Sequence, residues 1–235
     1  MQSSPVCYLP RRLDAVAFDL DGTLVDSVGE LRAALNQVLV GAGRTPLDVA
    51  TVRRFVGDGV RRLVERAFAT TGSPLEGVAL DRATDRYVAL YEPRAGASPL
   101  FPGVAETLAE LAGAGVKLGL CTNKPRGATL SLLAGLGLAD RFDAISAGDD
   151  VASRKPDPAH LRDCLERLGL GADGVAMVGD NELDIAMARA AGVTSVLVTY
   201  GYARLALDEI PADARIDDMA ALPAALRELG FVLPG

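Results

Sequence analysis

Ala15-Val16-Ala17-Phe18-Asp19-Leu20-Asp21-Gly22-Thr23 is a short apolar run that stops at two acids one residue apart, followed by Gly and Thr. The run has the length and composition of a strand buried on both faces. Gly22 marks where the chain leaves it, because glycine adopts backbone angles closed to other residues. Asp19 and Asp21 therefore stand at the carboxyl end of a strand, where open α/β sheets carry their chemistry. Two carboxylates this close repel, so either one takes a proton or a cation sits between them. The bland alternative is an Asp-rich turn, since Asp-Gly is a common turn pair.

The rest of the chain is large enough to build on such a strand. Its 235 residues, 49% hydrophobic and 23% charged, suffice for one α/β domain with an insertion. A formal charge of −7 argues against nucleic-acid and anionic-membrane partners, which need basic patches. Cys7, Cys121 and Cys164 are odd in number and form no Cys-x-x-Cys pair, so they read as reduced thiols. No apolar stretch resembles a signal peptide or reaches the ~20 residues of a membrane span. These features together point to a cytoplasmic protein.

Periodicity changes after Thr23. Leu31, Leu35, Val38 and Leu39 share one face of a helix from near Ser27 to Gly41. Further helices are expected from Asp48 to Val56, over Val60–Phe68 and from Ala79 to Tyr91, with Gly57-Asp58-Gly59 as a break. A loop from Glu92 to Pro102 leads back to strand and helix in alternation. The strands are expected at Val116–Cys121, Phe142–Ala147, Val175–Val178 and Ser195–Thr199, with a last helix over Ala220–Leu229. Alternation predicts a doubly wound, mostly parallel sheet covered on both faces, a Rossmann-like core. Residues 1–25 and 95–235 are assigned to this core and 26–94 to an inserted all-helical cap.

Four polar clusters fall at strand ends or beside them: Asp19 with Asp21, Thr122 with Asn123, Lys155 in a loop, and Asp180 with Asp184. Singly, each has an ordinary reading as a helix cap, a loop lysine or a helix N-terminal acid. In this order, and at one sheet edge, they resemble the four motifs of the haloacid dehalogenase-like hydrolases. Asp19-Leu20-Asp21-Gly22-Thr23 is similar to the first motif, Thr122 to the second, Lys155 to the third, and Gly179-Asp180-Asn181-Glu182-Leu183-Asp184 to the fourth. Asn181 departs from the Ser more usual there and leaves both acids in place. Within that superfamily, Phe55-Val56-Gly57-Asp58-Gly59, Cys121-Thr122-Asn123-Lys124-Pro125 and Gly148-Asp149-Asp150-Val151 resemble stretches of the phosphoglycolate phosphatases.

The resemblance implies an enzyme that hydrolyses a small phosphorylated metabolite, with phosphoglycolate as the expected substrate. Asp19 is then the nucleophile, forming an aspartyl phosphate, and Asp21 the general acid and base. Mg²⁺ is the implied cofactor, with side-chain ligands Asp19 and Asp180 and the backbone carbonyl of Asp21. Thr122, Asn123 and Lys155 are implied to bind the substrate, and Asp184 to orient Lys155 or a metal-bound water. A sugar-phosphate mutase, a phosphatase for another small phosphate, and a catalytically idle binding protein are the rival readings. In mutases of this superfamily the position of Thr23 tends to be apolar, so Thr23 favours hydrolysis. The arginines around the Gly-rich break, Arg53, Arg54, Arg61, Arg62 and Arg66, are candidates to read a substrate carboxylate. His160, the single histidine, is expected on the surface or packed on a helix, with no role in the chemistry.

Overall fold

The structure, a computed structural model, describes residues 11–234. In chain order the elements are β1 (Arg11–Arg12), β2 (Ala15–Phe18), α1 (Val28–Gly41), α2 (Val49–Arg53), α3 (Val60–Thr71), α4 (Gly77–Tyr91), α5 (Val104–Gly113) and β3 (Lys117–Cys121). They continue as α6 (Arg126–Gly135), β4 (Ala144–Ser146), α7 (Pro158–Leu168), β5 (Val175–Gly179), α8 (Glu182–Ala191), β6 (Thr194–Val198), β7 (Ala214–Ile216), α9 (Leu222–Glu228) and β8 (Phe231–Val232). Six strands form a parallel sheet in the order β4-β3-β2-β5-β6-β7, while β1 and β8 pair separately.

The apolar run in β2 is continuous because both of its faces are covered. Val16 and Phe18 pack into the larger core, which α1 and α5 share; Ala15 and Ala17 pack on the other side with Leu161, Leu165 and Met187 of α7 and α8. The strand order reverses at β2, with β3 and β4 on one side and β5 to β7 on the other. Such a reversal opens a crevice at the carboxyl ends of the strands, and ligands of doubly wound sheets bind there. Because Phe18 lies level with Leu120 and Val178, Thr122 and Asp180 leave their strands one residue beyond the level of Asp19, at the same edge.

Helices α1 to α4 lie between β2 and β3 in the chain and bury Leu63, Val64, Phe68, Leu80 and Tyr87 among themselves and against α1. The segments joining this block to the sheet run together: Asp26 N–H donates to Pro99 O (2.9 Å) and Phe101 N–H to Leu24 O (3.0 Å). Glu92–Ala97, expected as loop, is a 3₁₀ helix packed on α6. A Cβ on Gly135 would meet the Gly96 Cα at 2.3 Å, so the two backbones touch only because both residues lack side chains.

Several expected boundaries shift. The helix expected to Val56 ends at Arg53, and Phe55 and Val56 continue as tight turns bonded three residues back before Gly57 takes φ +115. The strand expected from Phe142 spans Ala144–Ser146, and the last helix starts at Leu222 after a 3₁₀ turn. β1, β7 and β8 are too short for a periodicity to reveal them. Among the described residues, no helix is long and apolar enough to cross a membrane. Cys121 and Cys164 are buried free thiols, and burial pushes Cys164 up to about 12; Cys7 lies outside the described residues.

Candidate active site

The chain turns out of β2 through Asp19-Leu20-Asp21-Gly22. Asp19 stays in register, its N–H donating to Val178 O at 2.9 Å. Gly22 has φ +91, and a Cβ there would lie 2.4 Å from Asp180 Oδ2. The turn therefore needs glycine twice over, for its backbone angle and for the closeness of the next strand's acid.

Lys155 joins two of the acids. Its Nζ lies 2.7 Å from Asp19 Oδ1 and 2.7 Å from Asp184 Oδ1, and the three side chains are almost wholly buried. Asp184 is fixed by its place in α8. Asn181 caps the helix and Asp184 reaches back, its Oδ2 accepting the N–H groups of Asp180 (3.2 Å) and Asn181 (3.3 Å). Asp180 is held by the Tyr202 N–H (2.6 Å), the Thr23 hydroxyl (3.2 Å) and the Asn181 amide (3.2 Å). Carboxylate oxygens of Asp19, Asp180 and Asp184 lie within 4.8 Å of one another.

These three carboxylates share one buried ammonium, and the imbalance shows in their proton affinities. Burial pushes Asp19 up to about 7 against the pull of Lys155, with the Asp184 charge adding to the rise. Asp180 is raised by burial and by the charges of Asp184 and Asp19. Burial opposes the charge on Lys155, but Asp184 and Asp19 outweigh it and hold its pKa above the ordinary value. Excess negative charge on oxygen donors in a closed space is the setting that a hard divalent cation fits. Protein donors already engage both oxygens of Asp184 and both oxygens of Asp180, and Lys155 engages one of Asp19, so a metal held by Asp19 and Asp180 would use the lone pairs that these bonds leave over.

Each residue expected to act on the phosphoryl group or the metal reaches this edge, though not always with the contacts expected. Thr122 is buried at the end of β3, and its Oγ1 accepts the Lys124 N–H at 3.3 Å. Asn123 spends its amide on backbone: Oδ1 accepts the Lys155 N–H (3.1 Å) and Nδ2 donates to Gly57 O (2.7 Å), tying the Lys155 loop and the helical block to β3. Asp21 points into the cleft between sheet and helices, where Lys124 Nζ bonds both its oxygens at 3.0 and 2.9 Å. Sequence reasoning passed over Lys124. The available signal was a second lysine three residues beyond a buried strand end and followed by Pro125.

The arginines around the Gly-rich break are engaged elsewhere. Arg61 pairs with Asp81 (3.1 Å), Arg62 with Glu65 (2.6 Å) and Arg66 with Asp58 (2.5 Å); Arg53 lies 5.3 Å from the Tyr202 ring centroid. None of the five lines the cleft. Asp58 also meets Arg204, which pairs with Glu182 at 2.6 Å, so an ion-pair chain links the break to the start of α8. His160 is fully buried, its Nε2 3.2 Å from Ser146 O, and takes no part in the cleft.

Comparison with known proteins agrees with this geometry. Residues 13–192 match the model of the haloacid dehalogenase-like hydrolase family. The chain is 48% identical over 227 residues to a protein of Rhodospirillum rubrum named phosphoglycolate phosphatase, covering 94% of this chain and 92% of the relative. A protein of the same name from Agrobacterium fabrum is 41% identical over 212 residues, covering 90% and 91%. The crystal structure of a predicted phosphoglycolate phosphatase from Haemophilus somnus superposes with a TM-score of 0.86 at 28% identity, covering 91% of this chain and 97% of that one. With its sheet topology, its strand-end acids and this similarity along nearly its whole length, the chain belongs to the haloacid dehalogenase-like hydrolases.

Proposed function

We propose that the protein is a Mg²⁺-dependent phosphomonoester phosphatase that converts 2-phosphoglycolate to glycolate and phosphate. The observation that carries the reading is the buried group of Asp19, Asp180, Asp184 and Lys155 at the switch point of the sheet. The relatives' names supply the substrate.

Asp19 Oδ attacks phosphorus while the bond to the leaving oxygen breaks, giving an aspartyl phosphate and an alkoxide that needs a proton. Asp21 stands two residues away, with its carboxyl in the cleft, and gives that proton. It then takes one from the water that cleaves the acyl phosphate and restores Asp19. Lys155, held between Asp19 and Asp184, presents a fixed positive charge to the phosphoryl oxygens with little reorganisation. The Thr122 hydroxyl lies at the same edge, and Asn123 acts by holding the Lys155 loop. Asp19, Asp180 and the Asp21 carbonyl would hold Mg²⁺, whose charge lets an anionic carboxylate approach an anionic phosphate. Residues 26–94 act as a cap over the remainder, swinging on the paired segments around Val25 and Leu100.

The test is phosphate release from a panel of monoesters that includes 2-phosphoglycolate, hexose phosphates and phenyl phosphate. The reading expects phosphoglycolate to be preferred, activity to vanish on chelation, and Mg²⁺ to restore it. Undiminished turnover after rigorous metal removal contradicts the mechanism, and preference for a hexose phosphate contradicts the substrate.

A further inference from the structure

The chemistry above handles only the phosphoryl group, which every phosphate ester shares. What selects the leaving group must lie further up the cleft, between sheet and helices. That part has an apolar wall of Leu31, Val60 and Leu63, and its polar groups are unusual. Tyr87 and Tyr91 stand one helical turn apart on α4, rings parallel with centroids 5.9 Å apart. Both side chains are almost fully buried, and neither hydroxyl has a hydrogen-bond partner among the described residues. Buried hydroxyls are rarely left so, because each forgoes the bonds it would make in water. Lys124 Nζ lies 4.4 Å from the Tyr91 ring centroid and is bonded to Asp21 on its other side. An ammonium has three donors. The cleft therefore presents one cation and two idle hydroxyl donors beside the carboxyl that serves the leaving oxygen.

We propose that Lys124, Tyr87 and Tyr91 form the subsite for the carboxylate of the leaving group, so that the cleft selects phosphate esters of small hydroxy acids. All three supply donors and no other demand is made on the two hydroxyls, so the complementary ligand is an acceptor with more than one oxygen and a negative charge. The apolar wall offers nothing to the several hydroxyls of a sugar, which would lose water there without replacement. The cap arginines are excluded as the reader, since Arg61, Arg62 and Arg66 already face acids and lie off the cleft. The inference rests on the phosphoglycolate reading and gives it a structural cause.

The experiment compares kcat/KM for 2-phosphoglycolate with that for 2-hydroxyethyl phosphate, an ester of similar size without the charge. The ratio is taken on one preparation, so any unfolded fraction cancels. Lys124→Met and the double change Tyr87→Phe with Tyr91→Phe should each lower the ratio at least about tenfold, the scale of one lost charged hydrogen bond. Lys124→Arg should retain more of it than Lys124→Met. Glycolate should inhibit Lys124→Met less strongly than the wild type, while inorganic phosphate inhibits both alike. If the wild type prefers phosphoglycolate and these changes leave its ratio unmoved, the subsite is overturned and the activity stands. A wild type that hydrolyses both esters equally well also overturns the subsite while the activity stands; one that does not hydrolyse phosphoglycolate overturns the activity, and the subsite with it.

Discussion

At the carboxyl edge of the sheet, Asp19, Asp21, Asp180 and Asp184 share the two ammonium groups of Lys124 and Lys155. Across the cleft, Arg61, Arg62 and Arg66 each meet an acid of the helical block itself. Charge at the edge is buried and unbalanced, so a cation or a substrate completes it. Charge in the block is exposed or half-buried and already paired, where screening and side-chain entropy leave it little effect. The two regions thus divide the work. The edge supplies reactive groups, and the block supplies shape and two hydroxyl donors.

The largest effect that separates the regions belongs to Asp19→Asn. It should leave the fold intact and lower turnover roughly a thousandfold or more, as loss of a nucleophile does. Substantial Mg²⁺-dependent turnover in that variant, measured by phosphate release, would assign the nucleophile elsewhere.

Asp19 was legible because its signal is local: an apolar strand, two acids and a glycine that the turn requires. The parallel sheet was legible from the alternation of strand and helix, and it carried Thr122, Lys155 and Asp180 to the same place. The helical block was less so. Whether Arg61 or Arg66 is free depends on Asp81 in α4 and Asp58 in the break, and no periodicity reveals such a pairing. Tyr87 and Tyr91 look like core residues at helical spacing, and only packing shows their hydroxyls idle beside Lys124. Lys124 is marked only by its place just past a buried strand end and before Pro125, a weaker signal than two acids and a glycine.

A pair of glycines brings the contrast into stability. Gly22 and Gly43 both take positive φ, at +91 and +70, but a Cβ on Gly22 meets Asp180 and Tyr202 whereas one on Gly43 meets nothing within 4 Å. Gly22→Ala should therefore cost about 3 kcal/mol and Gly43→Ala about 1 kcal/mol in denaturant unfolding. Equal costs would mean that the edge turn is free to relax.

His160 lies in the sheet domain, away from the cleft, and reports the low dielectric there. Burial, with the Lys155 charge adding, lowers it to about 4 from the ordinary value of 6.5. The unfolded chain then binds the proton more readily than the folded one. The stability that His160 contributes is complete above about pH 6.5 and is lost as pH falls toward 4. Relative to His160→Gln, the wild type should lose about 2 kcal/mol more between pH 7 and 4.5. Parallel curves would place the imidazole in contact with water.

The smallest effect should come from the block's own ion pairs. Arg61→Ala and Arg62→Ala should each change kcat/KM on phosphoglycolate by less than about twofold, since neither side chain reaches the cleft. A tenfold loss confined to phosphoglycolate would return the carboxylate to the arginines and take it from Lys124.

The claim that the edge does the chemistry through a covalent step on Asp19 is tested most directly in Asp21→Asn. A phenyl phosphate bearing an electron-withdrawing group has a leaving group that needs no proton, so the first step proceeds while the second lacks its base. After mixing with Mg²⁺ and acid quenching, mass spectrometry should find one phosphoryl group per chain, located on the peptide containing Asp19. Turnover at the wild-type rate with no adduct, or a phosphoryl group on any other residue, would contradict the account.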